Sequence, residues 1–112
     1  MQVQFSIIKL SQENTEFRKI IATHEHSQLV LMCIQPQQEI GYEKHTVDQI
    51  LYFVQGIAQA VVDQNTFTVH PHDLVIVPAG KYHNFVNIGT TDLKLFTLYA
   101  PPEHTSEHTQ DT

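Results

Sequence analysis

The stretch "DLVIVPAGKYHNFVN" (residues 73–87) decides the fold. Four consecutive β-branched or leucine residues, Leu74 to Val77, run into Pro78 and Gly80, and a second apolar run follows from His83. Proline and glycine in that order mark a tight turn, so the stretch reads as strand, turn, strand. His83 opens the second strand, and period-two geometry puts Phe85 on its face.

Earlier in the chain, "GYEKHTVDQILYFVQG" (41–56) alternates in the same way. Glu43, His45, Val47, Gln49, Leu51 and Phe53 share one face of a strand, while Lys44, Thr46 and Asp48 share the other. The charges sort accordingly: Lys44 and Asp48 face water, and Glu43, His45 and Gln49 lead into an apolar row. Burying a carboxylate, an imidazole and an amide is costly unless each is satisfied. A metal ion or a hydrogen-bonded polar mouth would satisfy them, and this stretch alone does not choose. His83 is expected to face His45 across the interior, with Phe53 and Phe85 lining the pocket. Tyr52 and Tyr82 then point the other way.

The rest of the chain repeats the pattern. "FRKIIA" (17–22), "QLVLMCI" (28–34), "AQAVVD" (58–63), "TFTVH" (66–70) and "LKLFTLYA" (93–100) are short, apolar and bounded by Gly, Pro, Asp or Asn. Many short strands at this spacing predict an all-β sandwich or barrel. A helical turn fits residues 8–16. Residues 1–102 read as one domain, and "PPEHTSEHTQDT" (101–112) is polar, so 103–112 is expected to be a flexible tail. "QLVLMCI" is apolar on both faces, which predicts a covering layer, preferably a second copy in a homodimer.

Composition narrows the function. The 112 residues include six Lys plus Arg against twelve Asp plus Glu, a net charge of −6. Such a chain has no basic surface for nucleic-acid phosphates or anionic membranes. No apolar run approaches the roughly 20 residues of a membrane helix, and the N-terminus does not read as a signal peptide; a cytoplasmic protein is expected. The single cysteine, Cys33, reads as a small buried hydrophobe. Eight histidines raise the question of metal or proton chemistry. His24 and His26 have a ligand-like spacing but sit in a loop. His70 and His72 flank Pro71 at a turn, and His104 and His108 lie in the tail.

Taken together, residues 41–56 and 73–87 resemble the two motifs of the cupins, which are double-stranded β-helix (jelly-roll) barrels. Gly56 matches the glycine closing the first motif and His45 its second histidine, while Glu43 stands at the first histidine and Gln49 at the glutamate. In the second motif Asp73, Pro78, Gly80, His83 and Asn87 match, and His72 replaces the glycine before Asp73. His accepts positive φ more readily than most non-glycine residues. The chain is also similar to short cupins of the mannose-6-phosphate isomerase-like subgroup, through "YFVQG" and "YAPPEH". The resemblance spans residues 28 to 100. It implies one divalent metal inside the barrel, held by His45, His83, Glu43 and Gln49. Two imidazoles with one carboxylate are the ligand types of an open non-haem iron site, and the oxygen and nitrogen set admits Fe, Mn, Ni, Co or Zn. The implied activity is a metal-dependent reaction on a small polar, sugar-like substrate, with Glu43 as proton-moving base if it is not a ligand. A non-haem iron dioxygenase and a non-catalytic small-molecule-binding cupin are the alternatives. A phosphorylated sugar would need a cationic clamp, for which Lys81 is the candidate near the mouth.

Overall fold

The computed structural model describes residues 1–104. In chain order these form α1 (Ile7–Glu13), β1 (Arg18–Thr23), β2 (Gln28–Ile34), β3 (Asp48–Gln55), β4 (Ala58–Val62), β5 (Asn65–Val69), β6 (Leu74–Val77), β7 (His83–Asn87) and β8 (Leu93–Ala100). The strands make two antiparallel sheets, ordered β1-β2-β8-β3-β6 and β5-β4-β7. This is an all-β double-stranded β-helix. No helix among the described residues is long and apolar enough to cross a membrane.

The expected strand–turn–strand of residues 73–87 is β6, a turn and β7. Gly80 takes φ +85 in the turn, and its amide donates to the His45 carbonyl at 2.7 Å. The Ala79 amide donates to Asp48 Oδ1 at 2.8 Å. The turn is thereby fastened to the segment that carries His45. His72 adopts φ 75, the left-handed conformation that its replacement of a glycine anticipates.

Residues 39–43 lie outside the named strands but pair with β7 at Glu39↔Val86 and Glu43↔His83. Glu43 and His83 exchange both backbone hydrogen bonds at 3.0 Å. Residues directly opposite in an antiparallel pair point to the same face, so this exchange brings the Glu43 carboxylate beside the His83 imidazole. The alternation read from 43 to 53 holds: His45, Val47, Gln49, Leu51 and Phe53 are buried, while Lys44, Thr46 and Asp48 are exposed.

The core fills the space between the sheets. Val30, Met32, Ile34, Leu51, Phe53, Val75 and Val77 from the larger sheet meet Ala58, Ala60, Val69 and Phe85 from the smaller. The covering layer expected over the outer face of β2 is present within one chain, where Leu31 and Cys33 are buried. Helix α1 packs against β2, β3 and β8. Lys94, paired with Cys33 across β2 and β8, donates to the Gln12 and Asn14 carbonyls at 2.9 and 2.6 Å, fastening the end of α1. Cys33 is buried beneath this cover, and burial pushes its thiol pKa up.

Two glycines give a paired prediction. Both Gly56 (φ +94) and Gly80 (φ +85) occupy the left-handed region, but a Cβ on Gly56 would stand 3.0 Å from Leu93 Cα, whereas one on Gly80 would meet nothing within 4 Å. Gly80→Ala should cost about 1–2 kcal/mol of backbone strain, and Gly56→Ala clearly more. Urea unfolding midpoints of the two variants measure the difference.

Candidate metal centre

Three side chains converge inside the barrel. Glu43 Oε1 lies 3.3 Å from His45 Nε2 and 3.7 Å from His83 Nε2, and the ligand atoms of all three residues fall within 4.8 Å of one another. Atoms bound to one transition metal at about 2.0–2.2 Å stand roughly 3 to 4 Å apart, so the spacing suits a common ion. His45 and His83 are 8% and 1% exposed, and their ring centroids are 5.2 Å apart.

The far nitrogen of each imidazole is occupied. His83 Nδ1 meets the Lys81 carbonyl at 3.1 Å. A carbonyl only accepts, so Nδ1 carries the proton and a neutral His83 turns its Nε2 lone pair inward. That Nε2 is buried without a hydrogen-bond partner among the described residues. His45 Nδ1 lies 3.0 Å from Glu103 Oε2. Metal-binding histidines show this arrangement, in which one nitrogen is held by an oxygen and the other presented.

The charges follow from the same contacts. Burial opposes ionisation of Glu43, but close contacts with the His45 and His83 imidazoles and the Arg18 charge outweigh it and hold its carboxyl well below the usual range. Burial would lower the His45 pKa, yet contact with the Glu43 and Glu103 carboxylates raises it. Arg18 was not legible as a site residue. It is buried and places a guanidinium nitrogen 3.2 Å from Glu43 Oε2, leaving Oε1 for the histidines. Lys81, the clamp expected at the mouth, instead lies 3.5 Å from Asp63, with both side chains about half exposed. The cation at the centre is therefore Arg18, delivered by β1.

The other candidates separate. Gln49 is 2% exposed; its Nε2 donates to the Tyr99 hydroxyl at 3.1 Å and its Oε1 is buried without a partner among the described residues. Phe53 and Phe85 are fully buried, 5.4 Å apart, with Phe85 6.2 Å from His83. They form an apolar support under the centre and not the wall of an open pocket. Tyr82 is exposed beside Lys44, and Tyr52 bonds the exposed His72 at 2.9 Å. His24, His26 and His70 are exposed. The tail expectation is corrected at its first residues: Glu103 reaches His45, and His104 is buried, its ring 4.9 Å from Tyr99 and 6.5 Å from His45. Gln28 is the reason, because its side-chain amide bonds the backbone of both residues. The rest of the tail, including His108, lies outside the described residues.

His104 supplies a pH prediction. Burial, reinforced by the Arg18 charge, pushes its pKa down from 6.5 to about 4. The unfolded chain takes up this proton first as the pH falls, so His104 costs stability progressively between pH 6.5 and 4 and no further below. The cost should reach on the order of 2–3 kcal/mol. In metal-free protein, His104→Asn should lose less stability over that interval than the parent does, measured as urea midpoints at pH 7 and pH 4.5.

The chain matches the Cupin domain family over residues 30–99. It is 35% identical over 111 residues to protein L612 of Acanthamoeba polyphaga mimivirus, covering 92% of this chain and 69% of that one. It is 37% identical over 106 residues to YrkC of Bacillus subtilis, covering 88% of this chain but 57% of that protein. Among solved structures, BH2720 of Bacillus halodurans superposes with a TM-score of 0.95 at 30% identity, over 100% of this chain and 90% of that one. KdgF from Halomonas sp. shares the fold, with a TM-score of 0.72 at 24% identity over 77% of this chain and 78% of that one. On this sequence, fold and placement of the motif histidines, the chain belongs to the cupin family.

Proposed function

We propose that the protein holds one divalent transition metal through Glu43 Oε1, His45 Nε2 and His83 Nε2 and acts on a small polar, sugar-like molecule. The observation that carries the reading is the convergence of two imidazole nitrogens on one carboxylate oxygen at 3.3 and 3.7 Å. A proton on His45 would satisfy one of these contacts and leave His83 Nε2 facing the same anion. A metal ion satisfies both. When bound, such an ion supplies Lewis acidity toward a substrate oxygen and, if it is iron, oxygen chemistry.

The chain's own groups have distinct parts in this reading. Glu43, its pKa held low, is a poor proton acceptor and a good ligand; the role of base is not assigned to it. Arg18 occupies its second oxygen and limits it to one for the ion. Gln49 Oε1, Thr97 Oγ1 and His104 Nε2 are buried without partners among the described residues, and they offer hydrogen bonds to hydroxyls or carbonyls of a polar molecule. Phe53 and Phe85 keep the base of the site dry. The isomerase-like resemblance fits such a substrate without a phosphate, since Lys81 is engaged outside. A dioxygenase is the second reading, supported by the two-histidine, one-carboxylate set.

Elemental analysis of protein purified without tag or chelator should find one metal per chain in the parent and none in His45→Ala or His83→Ala. A parent that retains no Fe, Mn, Ni, Co or Zn after soaking would leave a polar binding pocket and remove the enzyme. Aerobic turnover of candidate polyols only when Fe(II) is present would select the dioxygenase.

We also propose a homodimer, on a surface other than β2. The outer face of β3, β6 and β8 carries Leu74 and Ile76, 55% and 58% exposed, in register with Tyr52 and Ile50, which pair in turn with Phe96 and Leu98. A contiguous apolar patch of this kind on a small acidic protein suits an interface with a second copy. Light scattering should give twice the chain mass of 12.8 kDa for the parent and the single mass for Ile76→Glu.

A further inference from the structure

We propose that the segment following β8 is part of the centre: Gln28 fixes the backbone of Glu103 and His104, and Glu103 is a positioning residue that aims His45. The inference rests on the metal reading above and concerns groups outside the ligand set. Two prolines, Pro101 and Pro102, lead the chain away from β8, and ordering the residues beyond costs about 1–2 kcal/mol of backbone entropy each. Something must hold them.

Gln28 does so with every hydrogen-bonding capacity of its amide. It faces Tyr99 in the β2–β8 register and is 1% exposed. Its Nε2 donates to the His104 carbonyl at 2.7 Å and to Thr23 Oγ1 at 3.0 Å. Its Oε1 accepts from the amides of His104 at 2.9 Å and Glu103 at 3.2 Å. Because the His104 carbonyl can only accept, the orientation of the Gln28 amide is determined. The segment is thereby seated with the Glu103 carboxylate 3.0 Å from His45 Nδ1.

That contact has two effects on His45. It holds the proton on Nδ1 and so turns the Nε2 lone pair toward Glu43 and His83, and its negative charge makes Nε2 a stronger donor to a cation. His83 obtains the first effect from a backbone carbonyl, Lys81. Among the described residues no such carbonyl meets His45 Nδ1, and the chain supplies a carboxylate 58 positions away instead. The same strap brings His104 against Tyr99 and closes that side of the interior.

The test uses Co(II) as probe, with the full chain. Its dissociation constant is measured by competition with a chelator, and the imidazole N–H protons of the cobalt-loaded protein are followed as shifted, exchangeable NMR signals. Glu103→Ala should weaken Co(II) binding 10- to 100-fold and lose the His45 N–H signal to exchange, while the His83 signal stays. Glu103→Gln, which keeps an acceptor oxygen but no charge, should restore the signal and part of the affinity. Gln28→Ala should weaken binding although Glu103 is intact. Glu103→Ala and Gln28→Ala that bind cobalt as the parent does, with both signals present, would overturn the inference alone. A parent that binds no cobalt would overturn the metal reading and this inference with it.

Discussion

One carboxylate oxygen set between two buried imidazole nitrogens is the constraint around which the barrel's interior is organised. Three acceptor groups so close together repel unless positive charge lies among or beside them. The surrounding structure maintains the arrangement. The Glu43–His83 backbone exchange sets two of the side chains on one face. The Pro78–Gly80 turn, through Gly80 and the His45 carbonyl, anchors the third. Arg18 then neutralises part of Glu43. Burying an arginine with a carboxylate rarely raises stability over an apolar pair, so the presence of this pair argues for a purpose at the site and not for the fold.

The fold was legible because it depends on local patterns. Alternation from Glu43 to Phe53 needs only period two, and the Pro78, Gly80 and His83 spacing needs only turn geometry; both survive intact. Glu43, His45 and His83 were legible as inward-facing residues for the same reason. Arg18, Gln28 and Glu103 were not. Each reaches the centre through a partner 25 or more positions away, and nothing in "FRKIIA" or "YAPPEH" taken alone distinguishes such a residue from a solvated one. The cover over β2 was hidden for a related reason. The apolar second face was read correctly, but its cover is α1, a short helix without a marked capping pattern that docks through the buried Lys94.

The departures from the cupin motif also become coherent in physical terms. A carboxylate at position 43 supplies the negative charge that an amide at position 49 does not, so the charge has moved along one strand face without leaving the interior. Gln49 is then free to bond Tyr99, and Tyr99, whose hydroxyl is held un-ionised by burial, bridges between Gln49 and the edge of His45, 5.5 Å away.

The order of the larger sheet, β1-β2-β8-β3-β6, places the last strand of the chain in its middle. Until β8 has been synthesised and inserted, β2 and β3 have no partner between them and present two open edges rich in Val, Ile, Leu and Phe. Such edges invite pairing with other chains. The burden of open edges is therefore heaviest during synthesis, before β8 pairs with both β2 and β3. A ribosome stalled before Leu93 would release a product with a nearly complete core sequence, no means of closing it, and a strong tendency to aggregate.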